Sequence, residues 1–256
     1  MSELSKSILK KRSLMQRAEE LVLWIVCHSS FNLAECGSRM KIKKLEKLQD
    51  LLDKDMVWRK KELIDIKLLI HSTQNPTLCR AGIALLSAHF EGFIKQAANY
   101  YVVYVASQNI KLSELSTNFV AIHSGKVFDQ CATSDKITVY QRAIDDFLTK
   151  YTTLNFKVSY SPEHPVIKTE SNPSSIVVKN IFDSIGLDFS PYETKAHYID
   201  TDLLSNRHAV VHGDNIRIEI SDFDGTFEII TEIMRQFSEQ VLDAAMSKKY
   251  LKTQVD

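Results

Sequence analysis

The strongest constraint on the fold is Asn75-Pro76, an N-cap beside a proline at the first helical position, followed from Thr77 to about Ser107 by a stretch without proline. A helix of that length spans roughly 45 Å at 1.5 Å per residue. Small residues at Ala81, Ala84, Ala88, Gly92 and Ala98 leave room for a neighbouring helix to approach closely. The expected fold class is therefore all-α, a bundle built along long antiparallel helices.

Composition agrees. With 7 Gly and 5 Pro in 256 residues, the chain has too few turn formers for a β-sandwich. Lys plus Arg equals Asp plus Glu at 32 each, so coating a long nucleic acid by net charge alone is excluded while a local basic pocket is not. Cys27, Cys36, Cys79 and Cys131 are widely spaced with no CxxC, the pattern of buried thiols in a reducing compartment. The apolar run Leu21 to Cys27 is too short to span a bilayer. Lys10, Lys11 and Arg12 mimic a signal peptide only faintly, because Glu19 and Glu20 stand between them and that apolar run. The expectation is a soluble cytoplasmic protein that does not engage a membrane.

Two domains are expected, an N-terminal extension over 1–39 with the character of an accessory helix, and a helical domain over 40–256. In the second, Ile42, Leu45, Leu48 and Leu52 follow helical spacing, and the phase runs on through Met56, Leu63, Ile66 and Ile70. The Lys41 to Lys47 cluster reads as a solvated helix face. A short helix from Ser116 is expected to stop at Gly125, and another to start near Ser134 with Tyr140, Ile144, Phe147 and Tyr151 on one side. An irregular insertion around 154–172 leaves room for a short β-ribbon at most. Asn172-Pro173 should cap a helix ending at Gly186. Asp200 or Thr201 should cap one ending at Gly213, and Ser221 with Asp224 should form a capping box for a long last helix.

The common enzyme signatures are missing: no Gly-rich phosphate loop, no GxSxG, no HExxH and no Cys/His zinc spacing. His208 and His212 stand four apart on one helical face, but no third ligand completes a metal-binding spacing with them, so neither metal nor cofactor is expected. What remains is Asn206-Arg207-His208-Ala209-Val210-Val211-His212-Gly213, a guanidinium and two imidazoles at a helix end. An Arg followed by four to six residues and a His is weak alone: nine Arg and eight His give about 0.8 chance matches in a chain of this length.

Four stretches supply the missing context. They are Leu51 to Leu63; Arg80 to Lys95, with Tyr100 and Tyr101 after it; Glu170 to Ser175 with Ile185 to Asp188; and Leu203 to Gly213. Together, in this order, they resemble the HEPN family, specifically its RiboL-PSP and MAE-type branch of ribonuclease-like proteins. The resemblance spans about Leu48 to Leu251, and the first 39 residues match nothing in it. His208 takes the polar place after the arginine, where relatives often carry Asn.

The resemblance implies a HEPN-type bundle and a metal-independent endoribonuclease with Arg207 and His212 catalytic. RNA and a second copy of the chain are its implied partners, with an antitoxin or neighbouring defence protein as a further candidate in a prokaryotic toxin–antitoxin or defence system. His208, Asn206 and Glu91 become auxiliary candidates, and Lys95 a substrate-binding one. A catalytically silent HEPN module, binding nucleotide or a partner enzyme, is the rival reading. Physical chemistry fits the roles: attack by a 2′-OH needs a group that exchanges protons near neutral pH and a fixed cation for the phosphorane. A residue before Gly213 sits where the helix dipole favours an imidazolium, and arginine offers a planar fork to phosphate oxygens.

Plainer readings stand beside these. Arg207 can pair with Asp200, Asp202 or Asp214, and His212 can serve as a helix cap. Glu91 and Lys95 can form a surface i,i+4 pair instead of Glu91 reaching Arg207 or a histidine across the bundle. His89 and the Phe90, Phe93, Tyr100 and Tyr101 aromatics read as packing. One tension is geometric: on an ideal helix Arg207 and His212 lie about 140° apart, and His208 and His212 about 40°. Either the helix end turns His212, or a second subunit completes the site.

Overall fold

Three long helices organise the molecule, a computed structural model that describes residues 40–169 and 173–252. The expectations for 1–39, for Cys27 and Cys36, and for a cap at Asn172 fall outside the described residues. The helices are α1 (Leu45–Thr73), α2 (Pro76–Ser107), α3 (Thr117–Ala132), α4 (Ile137–Lys150), α5 (Ser175–Ile185), α6 (Asn206–Val211) and α7 (Ile220–Met246). No strand forms among the described residues. The insertion is irregular, with only an isolated bridge between Ser161 and His164 and another tying Asn155 to Lys111.

The long helix begins as its sequence dictates, with the Asn75 side chain accepting the Thr77 N–H at 3.0 Å and Pro76 in the first turn. It is the central helix. Phe90, Phe93, Ile94, Ala97, Ala98 and Tyr101 are buried, and from Ala97 to Val105 every residue but Tyr100 is, so this half is enclosed on all sides. Gln74, in the left-handed region at φ 51°, reverses the chain between α1 and α2 and makes them antiparallel. α7 runs parallel to α2, since Phe223 packs at Gly82 near their N-terminal ends and Tyr250, just past α7, meets Tyr104 at the other. α1, α2 and α7 all pack on one another, and their apolar stripes form the core.

Polar side chains secure the irregular segments. Asn99, 1% exposed, accepts the Val166 and Ile167 N–H groups at 2.8 and 3.0 Å and donates to the Ile167 carbonyl at 2.9 Å. That satisfies backbone groups of the insertion that would otherwise be buried without partners. Arg80 does the same for the loop before α7, donating to the Ile216 carbonyl at 3.1 Å.

Several local expectations are corrected. α3 runs through Gly125 to Ala132: a lone glycine costs a helix only about 1 kcal/mol, and the burial of Phe119, Val120 and Ser124 offsets it. α5 is capped by Ser174, whose side chain accepts the Val177 N–H. Asp200 caps no helix of its own and instead accepts from the Ser175 N–H and hydroxyl at 2.7 and 2.5 Å, serving the start of α5. The Ser221/Asp224 box does not form: α7 starts after Glu219 without a side-chain cap, and Asp224 is engaged by Lys67 and His71 of α1 at 3.3 and 3.0 Å. For Asp200 and Asp224 a tertiary partner outcompetes the local bond.

Candidate functional site

The candidate residues sit on a helical run of changing pitch. A tight 3-10 segment, Ser190–Lys195, is followed by a wide π turn, Tyr198–Ser205, and then by α6. The Ser205 hydroxyl donates to the Asp200 carbonyl at 2.8 Å, five residues back, which fits the wider turn. Such turns are frequent beside functional sites, and nothing in the local apolar spacing announces this one. Ile199 and Leu203 anchor the run in the main core, while Val210 and Ile216 pack on a satellite cluster of Ile66, Ile70, Cys79, Ile83, Ile218 and Phe223. Burial there raises the Cys79 thiol above its ordinary pKa, leaving it an inert core group.

The end of α6 is a Schellman stop. Gly213 takes φ +80°, a conformation open to glycine and costly for other residues. Its N–H bonds the Val210 carbonyl at 3.2 Å, and the Asp214 N–H bonds the Ala209 carbonyl at 2.9 Å. His212 is the last helical-like residue, at φ −82° and ψ −1°, and its N–H still reaches the His208 carbonyl at 3.0 Å. The helix therefore stays wound up to His212. The two imidazoles lie together, with ring centroids 4.3 Å apart, as their small angular separation requires.

Arg207 does not join them. It is half-buried, and among the described residues it makes neither an ion pair nor a hydrogen bond, with His212 or with any of the three nearby aspartates. Asp200 is occupied by Ser175, and Asp202 lies 4.0 Å from His197. His208 and His212 are exposed. The result is an uncommitted guanidinium and two adjacent imidazoles at one accessible helix end.

The other candidates take structural roles. Asn206 donates to the Asp202 carbonyl at 2.8 Å and braces its own helix. Glu91 neither reaches Arg207 nor pairs with Lys95; its carboxylate accepts the Thr169 hydroxyl at 2.6 Å and ties α2 to the insertion. Lys95 is half-buried without an ion pair among the described residues. No group of three or more His, Cys, Asp or Glu gathers among those residues in a metal-holding arrangement, so a metal on His208 and His212 would need ligands from outside them.

A second arginine/histidine cluster lies between α1 and α2. Arg59, 9% exposed, donates Nε to Asp55 at 3.1 Å and Nη1 to the His89 carbonyl at 3.3 Å, with His89 Nδ1 at 3.5 Å. His89, 4% exposed, places Nε2 2.6 Å from Glu62 Oε2. Trp58 covers both, its ring 4.5 Å from the guanidinium carbon and 5.1 Å from the imidazole. Gly92 makes the space: a Cβ there would stand 2.6 Å from Arg59 Nη1. Burial first, and the guanidinium second, push His89 down to about 4, so the ring is neutral at physiological pH. Motif reasoning on the linear chain misses Arg59 and Glu62. A signal is present all the same, since both interrupt the apolar stripe of α1 between Leu52 and Leu63 at buried positions.

Comparison with known proteins bears on both clusters. A family model described as RiboL-PSP-HEPN matches residues 54–243, a span that takes in Arg59, His89, Arg207 and His212. No curated protein and no solved structure gives a match.

Proposed function

The chain belongs to the RiboL-PSP-HEPN family, and from that premise we propose that it is a metal-independent endoribonuclease whose site is built from Arg207 and His212, with His208 assisting. The observation that carries the reading is the uncommitted Arg207 guanidinium on the same accessible helix end as the adjacent His208 and His212. A structural arginine in this position would have used one of its aspartate neighbours. A catalytic one must reach its phosphate with its donors free.

The chemistry follows from the groups. The 2′-OH next to the scissile phosphate attacks phosphorus while an imidazole takes its proton. The P–O5′ bond breaks as an imidazolium gives a proton to the leaving oxygen. Arg207 holds the non-bridging oxygens as negative charge develops on them. The products are a 2′,3′-cyclic phosphate and a free 5′-OH. Because α6 stays wound to His212, one chain presents Arg207 and His212 on different faces. A two-fold dimer that turns two α6 ends toward one cleft removes the conflict and supplies separate imidazoles for the two proton transfers. In such a cleft paired arginines also give a chain of zero net charge a local attraction for RNA. A role as a toxin or defence effector, with an antitoxin or neighbouring protein as its control, is the biological setting we attach to this activity.

The test is cleavage of a mixed RNA pool by purified wild type, Arg207→Ala and His212→Ala, with helical content and oligomeric mass measured on each. Cutting by wild type in EDTA that leaves cyclic phosphate ends, lost in both folded variants, is expected. Full activity in both variants removes this site. A wild-type chain that cuts nothing but binds a nucleotide or a partner enzyme would return the reading to a silent module.

A further inference from the structure

At the end of the bundle opposite α6, the hairpin of α3 and α4 carries an apolar face left exposed among the described residues. Its base is pinned near the C-terminal ends of α2 and α7, where the Ser116 N–H donates to the Tyr250 carbonyl and the Leu112 N–H to the Leu154 carbonyl, both at 2.9 Å. The loop after α6 is held at the other end of α2, by Arg80. From Arg80 to its end at Ser107, α2 separates the two places by about 40 Å at 1.5 Å per residue.

α4 is amphipathic, with Ile137, Tyr140, Ile144, Phe147 and Leu148 recurring at helical spacing, yet it has no buried residue. A helix of 14 residues is marginal without packing on its apolar side. Between it and α3 lies an open trough of about 530 Å³, lined among others by Val127, Phe128, Cys131, Tyr140, Ile144 and Phe147. Seven large apolar side chains, from Phe128 to Leu154, remain 37 to 77% exposed. At roughly 200 Å² per large side chain, they offer on the order of 700 Å² of apolar surface. That exceeds the usual patch on a monomer and approaches the about 800 Å² each partner buries in a stable interface.

We propose that this face is a two-fold contact with a second copy of the chain, each copy's α4 filling the other's trough to make a four-helix packet. Charge favours a second copy as the occupant. Four cationic residues, from Lys126 to Lys150, are balanced by four aspartates, from Asp129 to Asp146. A face built for RNA or an acidic protein would carry a basic excess, whereas a balanced face sets no like-charge repulsion against its own image. The contact is distinct from the α6 pairing of the ribonuclease reading, because α2 holds the two places far apart. A chain that makes both contacts forms assemblies larger than a dimer.

The experiment is sedimentation equilibrium across a concentration series on the full chain and on the double variant Ile144→Glu, Phe147→Glu, with RNA cleavage assayed alongside. The expected result is a twofold lower limiting mass for the variant, with unchanged helical content and unchanged cleavage per chain. Equal masses for the two proteins overturn the proposal, whether wild type is monomeric or paired only through α6, and leave the trough to a different occupant. A second measurement uses the unmodified chain: alkylation of Cys131, mapped by peptide mass, should slow as protein concentration rises through the association range. A rate independent of concentration overturns the proposal too. Neither readout depends on whether the protein cuts RNA, so failure of the ribonuclease reading and failure of this one are separable.

Discussion

Two arginine/histidine pairs in one small protein meet opposite fates. Arg59 and His89 are buried between α1 and α2, where Asp55 and the His89 carbonyl accept from the guanidinium, Glu62 stands beside the imidazole and Trp58 lies over the guanidinium. Arg207, with His208 and His212, stands at an accessible helix end and forms no ion pair among the described residues. Residue type therefore decides little. A cation whose hydrogen bonds are already satisfied in the interior contributes geometry, because moving it would strand charges in low dielectric. A cation left with free donors at the surface can bind whatever phosphate arrives.

The sharpest way to break the comparison is to remove the open pair. Arg207→Ala and His212→Ala are each expected to lower RNA cleavage by about a hundredfold or more, with thermal unfolding unchanged. An inactive variant that also melts early would move the open pair into the structural class. Arg59→Ala should do the reverse. It leaves the Asp55 carboxylate, its side chain only 11% exposed, without its cation and should cost about 3 to 5 kcal/mol of unfolding free energy. Denaturant titration reads it, and a loss under about 1 kcal/mol would mean that the buried cluster is not a structural pin.

The pH dependence of stability sharpens the contrast further. His89 is depressed from 6.5 to about 4 in the folded chain. Between those values the unfolded chain binds the proton more readily, so stability is full above pH 6.5 and declines as pH falls toward 4. At roughly 1.4 kcal/mol per pKa unit the loss attributable to this ring reaches about 3 kcal/mol. His89→Gln, which stays neutral, should flatten that part of the curve, and a curve of identical slope would remove His89 as its source. The smallest expected effect is His208→Ala, about a tenfold loss of cleavage, since His208 assists the pair without carrying either required role. If it alone abolished activity, the roles of the two adjacent histidines would exchange.

Much of the architecture is legible without coordinates. Asn75-Pro76, the apolar phase of α1, the glycines that end α5 and α6, and the alternating four and three spacing of Phe223, Phe227, Ile230, Met234, Phe237 and Val241 in α7 are short-range signals that agree with the helices formed. Where the local signals mislead, a distant partner wins: Asp224 leaves its local box for Lys67 and His71, Asp200 leaves its own helix for Ser175, and Gly125 is carried along by the burial of its neighbours. Among the candidate residues, the grouping of Arg207, His208 and His212 needs only helix periodicity. The assignment of Glu91 to the insertion through Thr169 does not, because those residues lie 78 positions apart.

Linear pattern is enough to establish a helical bundle of the RiboL-PSP-HEPN family whose Arg207 to His212 motif ends at a glycine. Which arginine stays free is settled in three dimensions alone. Burial and partner choice are properties of spatial neighbourhoods, summed over segments that the linear pattern leaves unconnected, whereas caps, turns and helical faces are set within a few residues of each other. That is why the α6 stop is legible from Gly213 alone, while the Arg59–His89 cluster becomes visible only when α1 is laid against α2.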